Sequence, residues 1–350
     1  MSERSALQGE PALLPGWIDR LVQWASDLPG PAWLAYVLVL LINILLNHLV
    51  FWIDGGLKPG AFDFGLSIFA FYVFYWMGLY HYLTIVASRA LKAFQPLLEA
   101  SEAEIRQLEA RLTLLPRRMS MWLLPLGFVV TLLNVSPDLE YILGPVASGA
   151  RTWLPVVYFS LVTAFGSSAF FALFLRTIRQ LRFVGELHRQ AVGIDLLDLE
   201  PAHAFSGLTA RTGIGMILLI GISSFQGPIE NVSNFELFSF LAIIVLAVAV
   251  FVVPLEGMHR LLREERKREL KELNGLLRKA SNRLHQQVRE GEYDHIQRSK
   301  DALAALTLER ERLQKTSTWP WNPGTVRGFS STLLLPIFLL LVTRLIERLF

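Results

Sequence analysis

Residues Met258 to Val288 read MHRLLREERKRELKELNGLLRKASNRLHQQV, an abrupt change from apolar to charged sequence after Gly257. Within it, Leu262, Leu270, Leu273, Leu277, Ala280, Leu284 and Val288 recur mostly at alternating steps of three and four. That rhythm places apolar groups on one seam facing a partner helix. Arg266, Lys267 and Glu269 interrupt its early part, so the seam is continuous from Leu270 onward. REGEYD (Arg289–Asp294) breaks the pattern at Gly291, and a second arm follows through Ile296, Leu303, Leu306 and Leu313. Two amphipathic arms around a short break predict an antiparallel coiled-coil hairpin. At 1.5 Å per residue its first arm reaches roughly 45 Å.

Working outward, the flanking sequence is apolar. Runs near the length of about 20 residues needed to cross a bilayer occur at Ala32–Ile53, Phe64–Ala87, Met119–Val135, Thr152–Leu175, Leu208–Phe225 and Phe235–Pro254. A seventh runs from Phe329 to Ile346. The predicted fold class is therefore all-α: a polytopic membrane helical bundle of about seven spans with a cytoplasmic hairpin. Composition agrees, with 53% hydrophobic residues in a chain of 350. No cysteine is present, which excludes disulfides, thiolate metal sites and cysteine nucleophiles. The N-terminus lacks the basic stretch, apolar core and small-residue site of a cleaved signal peptide.

Orientation follows from the basic residues. Arg89, Lys92, Arg106, Arg111, Arg117 and Arg118 separate spans 2 and 3, and Arg176, Arg179, Arg182, Arg189 and Arg211 separate spans 4 and 5. Fifteen more lie between Leu255 and Thr325, whereas the opposite loops Asp54–Asp63, Ser136–Ala150 and Gln226–Glu236 hold only Lys58. The positive-inside rule makes the Arg/Lys-rich side cytoplasmic, with the N-terminus and hairpin inside, in a multi-pass protein of a plasma membrane (a prokaryotic inner membrane).

The domain sequence is then 1–31, an N-terminal interfacial segment; 32–87, spans 1 and 2; 88–118, a cytoplasmic helical arm; and 119–175, spans 3 and 4. It continues with 176–207, a cytoplasmic helix and loop; 208–254, spans 5 and 6; and 255–315, the hairpin. A hinge at 316–328 and a C-terminal span at 329–350 complete it. In the first segment Trp17, Leu21, Trp24 and Leu28 form one helical stripe suited to the headgroup layer. In the arm, Leu91, Phe94, Leu98, Ile105, Leu108, Leu112 and Leu115 repeat the three-four rhythm, and Ser101 with Glu104 predicts a capping box after a kink near Pro96. A cytoplasmic helical bundle made from spans 2 and 6 and the hairpin would bury all three seams. Ser206 or Thr209 is expected to cap span 5.

The hinge is the most distinctive string, TSTWPWNPGTVRGF (Thr316–Phe329). Pro320 and Pro323 forbid a continuous helix, Gly324 and Gly328 are expected to permit sharp turns, and Trp319, Trp321 and Arg327 suit the membrane–water interface. Span 1 carries a possible polar face of Asn43, Asn47 and His48, for which interhelical hydrogen bonding is the favoured reading. His48 and His81 lie roughly 18 Å apart in depth and cannot share one ion. Asp195, Asp198, Glu200 and His203 have no metal-ligand spacing and read as capping and surface groups. Phosphate loops, two-His zinc helices and nucleophile elbows are missing. No catalytic, cofactor-binding or metal-binding residue is assigned, and no cofactor is expected. Acids interleave the basic residues of the hairpin without stacking aromatics, which argues against nucleic acid.

IDLLDLEPAHAFSGLTA (Ile194–Ala210) and TWPWNPGTVRGF (Thr318–Phe329) resemble strings of uncharacterised prokaryotic multi-spanning membrane proteins, and the likeness implies no activity. The expected function is non-enzymatic: a membrane scaffold or signal-coupling protein whose hairpin meets a cytoplasmic protein or a second copy. The alternative is a channel or transporter whose pore is lined by the polar face of span 1 and the small-residue faces of spans 4 and 5, at Gly166, Ser167, Ser168, Gly213, Gly215, Gly221, Ser223 and Ser224. Beyond the bilayer, the expected partners are a homo-oligomer or that cytoplasmic protein.

Overall fold

The computed structural model of the chain describes residues 14–134, 150–223, 234–291 and 293–349. The outer loops expected at Ser136–Ala150 and Gln226–Glu236 fall almost wholly outside the described residues, as do residues 1–13. The described residues are helical, with no strand among them. Three apolar helical stretches are long enough to cross a membrane: Ala32–Asp54, Trp153–Arg189 and Leu241–Glu290.

Helix α1 spans Trp17–Asp27, α2 Ala32–Asp54 and α3 Phe64–Phe94. Asp63 caps α3 by accepting from the Leu66 amide, and Pro96 ends the helix in a 3-10 turn at Gln95–Leu97. Helix α4 (Glu102–Thr113) opens on a capping box in which Ser101 and Glu104 bond reciprocally. Helix α5 covers Arg117–Asn134 and α6 Trp153–Arg189. At the far end from the charged helices, Asp54 of α2 accepts from the amides of Arg151 (2.6 Å) and Thr152 (2.7 Å), satisfying orphan donors at the start of α6.

After a 3-10 turn at Pro201–His203 comes α7 (Ser206–Ser223), then α8 (Asn234–Val252). A 3-10 turn at Val253–Leu255 leads directly into α9 (Glu256–Glu290), which ends on a left-handed Gly291. Helix α10 (Tyr293–Lys315) returns along α9, and α11 (Pro323–Leu349) ends the described chain. The contacts between α9 and α10 run in opposite chain directions. Arg266 donates to the Thr316 carbonyl near their base, and Ser299 donates to Gln287 Oε1 near their tip.

Most buried side chains fall into two clusters, and a third, small one joins Phe51 of α2 to Phe159 of α6. The larger unites α1, α3, α4, the inner part of α6 and the first turns of α9, with Ile18, Leu83, Leu91, Leu112, Leu187, Met258 and Leu262 essentially inaccessible. All seven apolar positions of the 88–118 arm are buried in it. The second cluster joins α7, α8 and α11 through Ile217, Ala247, Phe251 and Phe329. Helix α8 thus belongs to one core and α9 to the other, and Pro254 lies at the change.

Several local expectations need correction. The Arg-rich helix expected at Arg176–Arg189 is the uninterrupted continuation of α6, which runs through Gly185, and Arg176 within it is buried (3% exposed). Ser206 and Thr209 do not cap α7: their hydroxyls donate backward to the carbonyls of His203 and Ser206. Gly324 and Gly328 make no turn. Both lie inside α11 without positive φ, since the helix begins at Pro323 and not at Phe329. Pro323 occupies the first helical position, where its missing N–H costs nothing, and Asn322 Oδ1 accepts from the Gly324 amide as cap. Near the tip, Gln287 is buried while Val288 is half-exposed, which moves the last position of the seam by one residue.

Candidate functional site at the root of the charged helices

The site is built where α9 leaves the apolar part of the molecule. His188 lies on the inner extension of α6, past Leu175 where the apolar run ends, and is inaccessible to solvent. Its ring lies edge-on between Phe94 of α3 and Phe205, with centroids 5.6 Å from each. Its Nδ1–H donates to the Pro254 carbonyl at 3.1 Å. That carbonyl acceptor fixes the neutral tautomer, and Nε2 is buried without a partner. Burial pushes the imidazole down to about 4, opposed only weakly by the Pro254 bond. Helix α9 passes beside His188 at ordinary packing distance, since a Cβ at Gly257 would rest 3.5 Å from His188 Cβ. Met258 and Leu262, one and two turns along α9, are fully buried in the same core.

A second set of contacts holds the returning chain. His259 donates through Nδ1 to the Thr318 carbonyl at 2.9 Å and stacks on Trp319 at 4.0 Å between centroids. Trp319 stacks on Trp321 (4.4 Å), Trp321 on Phe251 (5.3 Å) and Phe251 on Phe329 (4.3 Å). Five rings therefore run from α9 through the hinge to α8 and α11. Trp321 packs against both buried clusters, Pro320 is buried beside it, and Arg327 projects outward from the first turns of α11.

The third feature is a buried polar network, centred on Tyr80, that joins α1 to this region. Asp19 Oδ1 accepts from the Tyr80 hydroxyl at 2.6 Å, and Oδ2 accepts from the amides of Gly16 (3.0 Å) and Leu115 (3.1 Å). The Arg176 guanidinium lies 4.2 Å over the Tyr80 ring and donates to the Tyr80 carbonyl and to Thr84 Oγ1. Helix α1 meets the bundle through Ile18, Val22 and Ala25, one step around from the Trp17–Leu28 stripe, while Trp24 faces outward. Close by, His81 bonds Ser26 of α1 and Tyr36 of α2.

The span-1 polar residues lie elsewhere. Asn43 donates to Tyr158 of α6, and Asn47 to the Leu66 carbonyl of α3. His48 donates to the Ile44 carbonyl, accepts from the Asp63 amide and stacks on Phe62. The structure does not bring them to the site. Among the small residues, Gly213 and Gly215 lie where a Cβ would approach Phe329 and Leu79 to 2.7 Å, so both are occupied in helix packing. Asp195 and Asp198 accept from the amides of Leu197 and Glu200 as turn caps, and burial holds the His203 imidazole below its usual range.

His188, Asp19 and His259 carry the geometry, and sequence reasoning missed all three. An acid in the first turn of the amphipathic α1 segment and a histidine on an apolar face of an arginine-rich helix were the available signals. The chain matches no protein-family model, no curated protein and no solved structure.

Proposed function

We propose that the chain is a multi-pass plasma-membrane protein of about seven spans, with its N-terminus inside, whose α9–α10 pair forms a cytoplasmic antiparallel coiled-coil hairpin. In this reading the hairpin is a rigid output arm of the membrane bundle, serving a scaffold or signal-coupling role without catalysis. The observation that carries the reading is the burial of the hairpin root: Met258 and Leu262 lie in the core of α3 and α6, and His188 bonds Pro254. A helix so rooted moves with the bundle, and α9 extends the motion by about 50 Å. Large exposed apolar side chains on α2, α5, α8 and α11, such as Leu41, Phe128, Val245 and Phe338, support lipid contact by helices beyond the three longest.

The absence of cysteine allows a direct test. Single cysteines at Lys58 and Gln286 are offered to a membrane-impermeant maleimide in intact cells and after permeabilisation. The reading predicts labelling of position 58 in both and of position 286 only after permeabilisation. Labelling of both in intact cells contradicts it.

A further inference from the structure

We propose that the N-terminal ends of α1 and α5 together form a binding patch for the phosphate headgroups of anionic lipids at the inner leaflet. The proposal rests on the membrane reading above. The two helix ends are locked together: the Arg117 amide donates to the Leu14 carbonyl at 3.2 Å, and Trp17 Nε1 donates to the Ser120 carbonyl at 2.8 Å. Beyond this joint, Arg20 with Trp24 on α1 and Arg118 with Trp122 on α5 form two exposed pairs, each spaced one helical turn apart. Trp24 is 55% exposed and Trp122 76%.

Arg117 and Arg118 occupy the first turn of α5, where the helix dipole is positive, so both stand against the local field. Neither they nor Arg20 makes an ion pair or a ring contact among the described residues. The pattern is unfavourable in water on two counts, repelled cations and bare indoles. A bilayer surface reverses both: phosphates complement the three guanidiniums, and the indoles enter the headgroup layer. Charge complementarity and continuity with the exposed apolar face of α5 (Met121, Leu124, Phe128) select a lipid over a soluble partner.

The test uses the full-length protein in nanodiscs of phosphatidylcholine and phosphatidylglycerol, with the lipids retained after mild detergent exchange counted by mass spectrometry. Wild type is expected to retain phosphatidylglycerol preferentially. R117Q/R118Q is expected to reduce that preference about tenfold, and R20Q less. R278Q/K279Q, on the hairpin, leaves it unchanged. Equal retention of the two lipids by wild type, or by R20Q and wild type alike, overturns the proposal even where the double variant fails to fold. Displacement of phosphatidylglycerol by millimolar inorganic phosphate overturns the lipid assignment in favour of a free-phosphate site. Alkaline carbonate extraction separates the two readings: release of the chain from membranes sinks the membrane reading, whereas retention without lipid preference sinks this inference alone.

Discussion

His188 of α6 donates through Nδ1 to the carbonyl of Pro254, the residue at which the chain passes from one buried cluster to the other. The bond fixes where α9 emerges.

The pH dependence of this joint has a definite sign. His188 is depressed to about 4 in the folded chain against an unfolded value of about 6.5. Between those values the unfolded chain binds the proton and the folded chain does not, so stability rises with pH. The contribution is complete above about pH 6.5 and is lost as the pH falls toward 4. Thermal unfolding of wild type and H188N at pH 7.5, 5.5 and 4.5 should show the steeper acid loss in wild type. Parallel loss in both contradicts the assignment.

Asp19 accepts three hydrogen bonds in a buried setting that also holds Arg176. Removing the carboxylate leaves the Tyr80 hydroxyl and the Gly16 and Leu115 amides without their acceptor, at a cost of about 1–3 kcal/mol for each buried group left unpaired. D19A should therefore detach α1, read as faster hydrogen exchange across Trp17–Asp27. D19N retains one carbonyl acceptor and should show a smaller effect. Unchanged exchange in D19A would falsify the latch role of this network.

The glycines divide by their surroundings. At Gly127 a Cβ would sit 2.4 Å from the Ala164 carbonyl, a backbone atom that cannot yield cheaply. G127A should lower Tm by an amount equivalent to about 1–3 kcal/mol. Gly275, in exposed mid-helix of α9 with nothing near its Cβ, should gain from alanine by about 1 kcal/mol. A differential unfolding scan of the two variants checks both signs.

The ring stack is anchored centrally by Trp321, which packs against both clusters. W321A should cost about 3–5 kcal/mol and raise hydrogen exchange at the end of α10 and the start of α11. W319A, from a half-exposed position, should cost less. Equal effects would place the weight of the stack at its His259 end.

Periodicity made much of this architecture legible. The three-four rhythm of the 88–118 arm marks residues that are all buried, and the Ser101–Glu104 spacing forms the expected capping box. Gly291 ends α9 where the pattern breaks. The sites were less legible, because they depend on packing between distant segments. Arg176 is indistinguishable in sequence from Arg179 and Arg182, and only the position of Tyr80 on α3 makes it a buried cation. His188 likewise becomes a joint only when Pro254 arrives beside it. Pro323 and Gly324 signal a break, yet the same proline starts a helix when Asn322 caps it.

The most direct measurement is the distance distribution between spin labels at Lys92, on the bundle, and Gln286, near the hairpin tip, by pulsed electron resonance in the otherwise cysteine-free chain. Rigid coupling predicts a single narrow distribution in wild type that broadens in H188A while α9 stays helical. A wild-type distribution already as broad as that of H188A would contradict the account, since the hairpin would then move independently of the bundle that carries it.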